Sequence, residues 1–111
     1  MMDKRLNLLG IAQVAGGLVS GTDTVLRSIQ TSQATLVIVA TDASQRTKKS
    51  MRDKCQSYDV DYVEVFSTSQ LSSALGKKRT LCAFTNQGFK KSFMKHTKAQ
   101  NKQTGATSMS N

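Results

Sequence analysis

Apolar positions along this 111-residue chain switch between helical spacing and short continuous runs. The clearest run is Thr35-Leu36-Val37-Ile38-Val39-Ala40. A β-branched strand of this kind needs cover on both faces, which places it in the middle of an α/β sandwich. Before it, Val25, Leu26 and Ile29 mark one face of a helix over about 22–32, opened by Gly21 and a cluster of small hydroxyl and acidic residues. After it, Thr41-Asp42-Ala43-Ser44 turns into a basic helix over about 44–58 that Ser44 can cap. There Met51, Cys55 and Tyr58 fall on one face, with Arg46, Lys49 and Arg52 mostly outward.

The same alternation continues on both sides. Lys4-Arg5 followed by LNLLGIAQVAGGLVSG has the charge-then-apolar order of a secretory leader, but Asn7 and Gln13 interrupt it. Leu8, Ile11, Ala12 and Ala15 recur instead at helical spacing, so a helix is expected over about 3–15, ended by Gly16-Gly17 and followed by a short strand at about 17–20. Tyr62 to Phe66 reads as a strand. Ser67 to Gln70 has capping-box spacing and opens a short helix with Leu71, Ala74 and Leu75 inward, closed by Gly76. The linker Lys77-Lys78-Arg79-Thr80 leads to a last strand over 81–85, and Phe89 and Phe93 anchor a final helix over about 87–96. From Thr97 the chain has no apolar periodicity. The expectation is one α/β domain over 1–96, a three-layer α/β/α sandwich on a mixed sheet of about four strands, with a disordered polar tail over 97–111.

Charge adds a direction to this picture. The net charge is +9, and residues 65–111 contribute Lys77, Lys78, Arg79, Lys90, Lys91, Lys95, Lys98 and Lys102 without one acidic residue. A one-sided basic field points to a polyanion, nucleic acid ahead of membrane; the blander reading is a solvated basic surface kept for solubility. Cys55 and Cys82 fit no metal-ligand or redox spacing and read as buried thiols of a reducing compartment. His96, the only histidine, sits among lysines and reads as a surface residue. No run is long enough to span a membrane.

Three segments could converge on one edge of such a sandwich: Gly21–Arg27, Asp42–Lys49 and Gly76–Thr80. They supply helix N-termini whose backbone N–H groups can hold an anion, small residues that admit a polynucleotide backbone, and Arg27, Lys48, Lys77, Lys78 and Arg79 for phosphates. The candidate RNA-binding set is therefore Gly21, Thr22, Asp23, Thr24, Arg27, Lys48, Lys77, Lys78 and Arg79. Only Tyr58 and Tyr62 among the aromatics could be partly exposed, so no base-stacking platform is expected. No nucleophile–base pair, P-loop or GxGxxG turn is present, which argues against an enzyme and leaves no cofactor or metal site to expect.

The order of these pieces carries a resemblance. A strand, then GTDTVLR, LVIVATDAS, a basic helix, VEVFS, LSSALG and KKR follow one another as in the kink-turn RNA-binding family of ribosomal proteins. KRLNLLGIAQVAGGLVSG, ATDASQRTKKSMRDKC and TNQGFKKSF are similar to its small bacterial YlxQ-type members, so that the likeness spans about residues 4–96. It implies an α/β/α sandwich in the cytoplasm that binds ribosomal or other structured RNA. The partners expected are structured RNA, ribosomal RNA among it, and ribosomal proteins, with no membrane and the protein a monomer. The family's Gly-x-Asn-Glu-x-x-Lys signature, whose Asn and Glu read guanine edges, falls on Gly21, Asp23, Thr24 and Arg27. Asp23 can only accept where an amide would also donate, and Thr24 is shorter than a glutamate. The family's Leu-Gly-x-Ala-x-Gly motif appears as Leu71, Ser72, Ala74 and Gly76, Ser72 departing from it, and Arg79 stands where the family also places an arginine. The alternative from another class is a protein-interaction adaptor or ribosome-associated structural factor whose sheet edge or basic helix meets an acidic protein.

Overall fold

The central apolar run forms β2 (Leu36–Val39), and all four of its side chains are buried. A computed structural model describes residues 3–100 of the chain, with side chains assigned through residue 96. β2 pairs in parallel with β3 (Asp61–Glu64) and antiparallel with β4 (Leu81–Phe84), and β4 pairs antiparallel with β1 (Leu18–Ser20). The mixed sheet therefore has the order β1-β4-β2-β3. Parallel strands need a crossover, and α3 (Gln45–Ser57) supplies it between β2 and β3. With α2 (Thr22–Gln30), α3 covers one face of the sheet. The other face carries α1 (Lys4–Val14), α4 (Thr68–Leu75) and α5 (Gln87–Gln100). This is the three-layer sandwich that the alternation predicts.

Local chemistry sets the helix ends. Ser44 caps α3 by accepting from the Thr47 N–H at 3.1 Å. Ser67 and Gln70 form a full capping box on α4, and Gly76 ends that helix in the left-handed region at φ 76°. Under the α1–α4–α5 layer, the Phe84 and Phe93 rings meet edge to face at 5.6 Å, and Phe93 meets Phe66 at 6.3 Å. The Arg5 guanidinium lies 4.8 Å from the Phe66 ring centre and pairs with Asp3 at 3.2 Å. That hydrogen-bonded pairing holds the Asp3 carboxyl below its usual pKa. Cys55 and Cys82 are both buried thiols, and burial pushes them up to about 11 and about 12.

Some details differ from the sequence reading. The buried face of α1 is Leu6, Leu9 and Ala12, while Ile11 is 59% and Val14 91% exposed. α4 turns α1 this way: a side chain at Gly10 would meet the Ala74 carbonyl at 3.3 Å, and Gln13 Nε2 donates to the Leu75 carbonyl. β3 ends at Glu64 rather than Phe66, because Phe66 takes a left-handed φ of 69° and turns the chain into α4. Tyr58 is the C-cap of α3 and is exposed, so the inward face of that helix stops at Cys55. α5 continues through Gln100, over the first residues of the segment expected to be a tail, and 101–111 lie outside the described residues. Among the described residues no helix is long and apolar enough to cross a membrane.

Candidate nucleic-acid interface

The strand directions bring four loops to one edge. Ser20 faces Cys82, Val39 faces Leu81, and Val39 faces Glu64 across the ladders, so β1, β2 and β3 end where β4 begins. The segments 21–24, 40–44, 65–67 and 76–80 therefore emerge together. Hydrogen bonds stitch them. Gly21 N–H donates to the Leu81 carbonyl at 3.2 Å, Ala40 N–H to Thr80 at 2.8 Å, and Thr41 N–H to Phe66 at 2.8 Å. Asp42 Oδ1 accepts from both the Thr68 hydroxyl and the Thr68 N–H, at 2.7 and 2.9 Å. These two bonds hold the exposed Asp42 carboxyl below its ordinary value of 3.8. Their contribution to stability is complete above that value and is lost as pH falls through the lower folded pKa.

Gly21 opens α2 at φ 95°, ψ 149°, a conformation other residues rarely adopt, and no side chain caps the helix. The first-turn N–H groups of α2 thus keep the outward-facing partial positive charge of a helix start. Thr22, Asp23 and Thr24 are exposed in that turn. Arg27 follows Asp23 by four residues and shares its exposed face, yet no ion pair joins them among the described residues.

Arg79 reaches this helix start from the other side of the edge. Its Nε donates to Ser20 Oγ at 2.8 Å and its Nη1 to the Lys78 carbonyl at 2.9 Å. A Cβ placed on Gly21 would lie 3.6 Å from Nε and 3.9 Å from Cζ, so the guanidinium passes directly beside the glycine. Lys77 and Lys78, in the same loop, are exposed. The loop itself is tied back to α4: Ser72 Oγ accepts from the Arg79 N–H at 3.0 Å and lies 3.3 Å from the Arg79 carbonyl.

Eight of the nine candidate residues thus lie on α2 or on the loop that faces its start. Lys48 is the exception. Its side chain is only 13% exposed and pairs with Glu64 at 3.8 Å. Glu64 also takes Arg52 at 3.2 Å and the Tyr62 hydroxyl at 2.8 Å. Burial and that donation raise the Tyr62 pKa well above its usual value. Two cations thus share one carboxylate here, and Lys48 is drawn to the α3–β3 side. The residues that sequence reasoning passed over are Ser20, Ser72, Asp42 and Thr68 as ties of the edge; Ser72 was visible only as a departure from a family motif. Exposed Tyr58 lies at the opposite end of α3 from the edge, and Phe66 is buried beneath it.

The comparisons with known proteins agree with this architecture. The chain is 38% identical over 88 residues to the RNA-binding protein YlxQ of Enterococcus faecium, covering 79% of this chain and 85% of the relative. It is 43% identical over 83 residues to the RNA-binding protein YlxQ of Bacillus subtilis (strain 168), covering 74% and 83%. A Bacillus halodurans C structure, described as a protein with unknown function, superposes with a TM-score of 0.80 at 36% identity, over 84% of this chain and 95% of that one. The Giardia lamblia 15.5kD RNA binding protein shares the fold at a TM-score of 0.67 and 20% identity, over 78% of each chain. A family model matches residues 3–94, and with it the chain belongs to the Ribosomal protein L7Ae/L30e/S12e/Gadd45 family.

Proposed function

We propose that this protein is a non-enzymatic RNA-binding module that holds the phosphate backbone of a structured, ribosome-associated RNA at the edge formed by Gly21–Thr24, Arg27 and Gly76–Thr80. The observation that carries this reading is the Arg79 guanidinium lying beside Gly21 at the uncapped start of α2. A helix N-terminus and a fixed guanidinium at one point make a seat for a single anion. The exposed Lys77, Lys78 and Arg27 extend that seat along a polyanion. The names of the two YlxQ relatives support RNA as that polyanion. Among the described residues the edge presents no exposed aromatic ring on which bases could stack, which favours structured RNA over extended single strands. A cytoplasmic monomer is the setting this reading takes.

Arg27→Ala and Lys78→Ala should each weaken binding to several unrelated RNA hairpins by about the same factor, because phosphate contacts carry no sequence information. Both side chains are exposed, so thermal melts should be unchanged. Equal affinity for all three proteins, measured by fluorescence anisotropy, would contradict the proposed seat.

Asp23 and Thr24 bear on which RNA is preferred. Both are exposed in the first turn of α2, at the positions where the kink-turn readers present Asn and Glu. An ionised Asp23 accepts but cannot donate, and its charge would lie near phosphates. The protein should therefore bind a standard kink-turn weakly. Asp23→Asn combined with Thr24→Glu should tighten that binding about tenfold, roughly 1.4 kcal/mol, with little change for other hairpins. Tight kink-turn binding by the unmodified protein, left unaltered by the double change, would remove these two positions from specificity.

A protein-interaction adaptor is the second reading, and the exposed Ile11 and Val14 on α1 favour it. RNA binding that survives a competitor polyanion separates the two.

A further inference from the structure

We propose that Ser72 and Ser20 are positioning residues that set Arg79 before any RNA arrives, so that the basic loop is a preformed arm and not one ordered on binding. The inference rests on the RNA-binding reading and extends it to residues that touch no RNA themselves. Lys77-Lys78-Arg79 follows a left-handed glycine, carries only cations and has no apolar anchor of its own; such a loop ordinarily samples many conformations. Here two hydroxyls hold it at both ends of one residue.

Ser72, half-buried on α4, bonds the Arg79 main chain: its oxygen accepts from the Arg79 N–H at 3.0 Å, and it approaches the Arg79 carbonyl at 3.3 Å. Ser20, the last residue of β1, accepts from Arg79 Nε at 2.8 Å and so fixes the side chain. The backbone is tied to the helix behind it and the guanidinium to the strand that leads into Gly21. Nη1 bonds the Lys78 carbonyl. The Nη2 end makes no hydrogen bond among the described residues, so its donors remain for a ligand beside the α2 start. An alanine at position 72 would offer the Arg79 N–H no acceptor, and the loop would have to be ordered each time RNA binds. Immobilising one long side chain and its loop at binding lowers affinity, which prior fixing avoids.

The test is a double-mutant cycle read by anisotropy with an RNA hairpin carrying an internal loop, together with amide hydrogen exchange on the free protein. Ser72→Ala should weaken binding by about threefold to tenfold, and Ser72→Thr, which keeps the hydroxyl, should restore it. In an Arg79→Ala background the Ser72→Ala effect should vanish, since Ser72 acts through Arg79 alone. In the RNA-free protein, Ser72→Ala should speed exchange of the Arg79 amide by about fivefold or more. Ser20→Ala reads the same coupling from the side-chain end if Ser72→Ala fails to fold. Unchanged affinity in a folded Ser72→Ala or Ser20→Ala protein, or an equal loss with and without Arg79, would overturn the proposal. No RNA binding by the unmodified protein would overturn the functional reading instead, and the exchange measurement would still decide whether the loop is held.

Discussion

Raising salt from about 50 to about 200 mM should weaken binding to a structured RNA by roughly two to three orders of magnitude, if about four to six phosphates are met. Each phosphate neutralised by a lysine or arginine releases condensed counterions, so the logarithm of affinity falls in proportion to the number of contacts. The candidate edge offers Arg27, Lys77, Lys78 and Arg79 together with the first turn of α2, which is the number of positive groups such a slope requires. Lys48 should contribute little, because its side chain is only 13% exposed and turns toward Glu64. Removing Lys78 should lower the slope by about one contact, whereas Lys48→Ala should leave it unaltered. A flat salt profile would count against a phosphate seat of any kind, and a slope that falls equally with Lys48→Ala would spread the seat along α3.

Leu36→Ala should cost about 2–5 kcal/mol of folding stability, the range for a large apolar side chain removed from a packed interior. Leu36 has no exposed surface, starts the central strand and faces both Asp61 and Phe84 across its two ladders. For a domain of this size the loss is a large fraction of the total stability, so the melting temperature should drop well beyond that of any edge variant. Arg27→Ala and Lys78→Ala, both exposed, should stay within about 0.5 kcal/mol of the parent in the same urea titration. A stable Leu36→Ala protein beside an unfolded Arg27→Ala protein would reverse the assignment of core and surface.

What could be read from the chain and what could not divides along the range of the interactions. β2 was plain because four consecutive buried apolar residues admit one placement. The capping box of Ser67 and Gln70 and the cap at Ser44 are interactions over three residues, written in the local pattern. Gly21 announced a turn into a helix, and the turn is there. Apolar spacing alone leaves the inward face of α1 open by one step around the helix, since Leu8 and Ile11 are as apolar as Leu6 and Leu9; the contact of Gly10 and Gln13 with α4 decides between them. The end of β3 depends on the φ of Phe66, which places its carbonyl under Thr41 from another loop. Lys48 looked like any other cation until the fold brought Glu64 to it. Ser20 and Arg79 meet across a separation of 59 residues, and a serine's choice of such a distant partner leaves no periodic trace. The candidate edge was therefore visible as a set of segments, and its ties were not.

An amide NMR titration of the labelled protein with an RNA hairpin at low salt reads the candidate edge residue by residue. The largest shifts are expected at Gly21, Thr22, Asp23, Thr24 and Arg27 and across Gly76–Thr80, with Tyr58, at the far end of α3, unmoved. Shifts centred on Ile11 and Val14 of α1 or on β3, with Gly21 and Arg79 unchanged, would contradict the proposed seat.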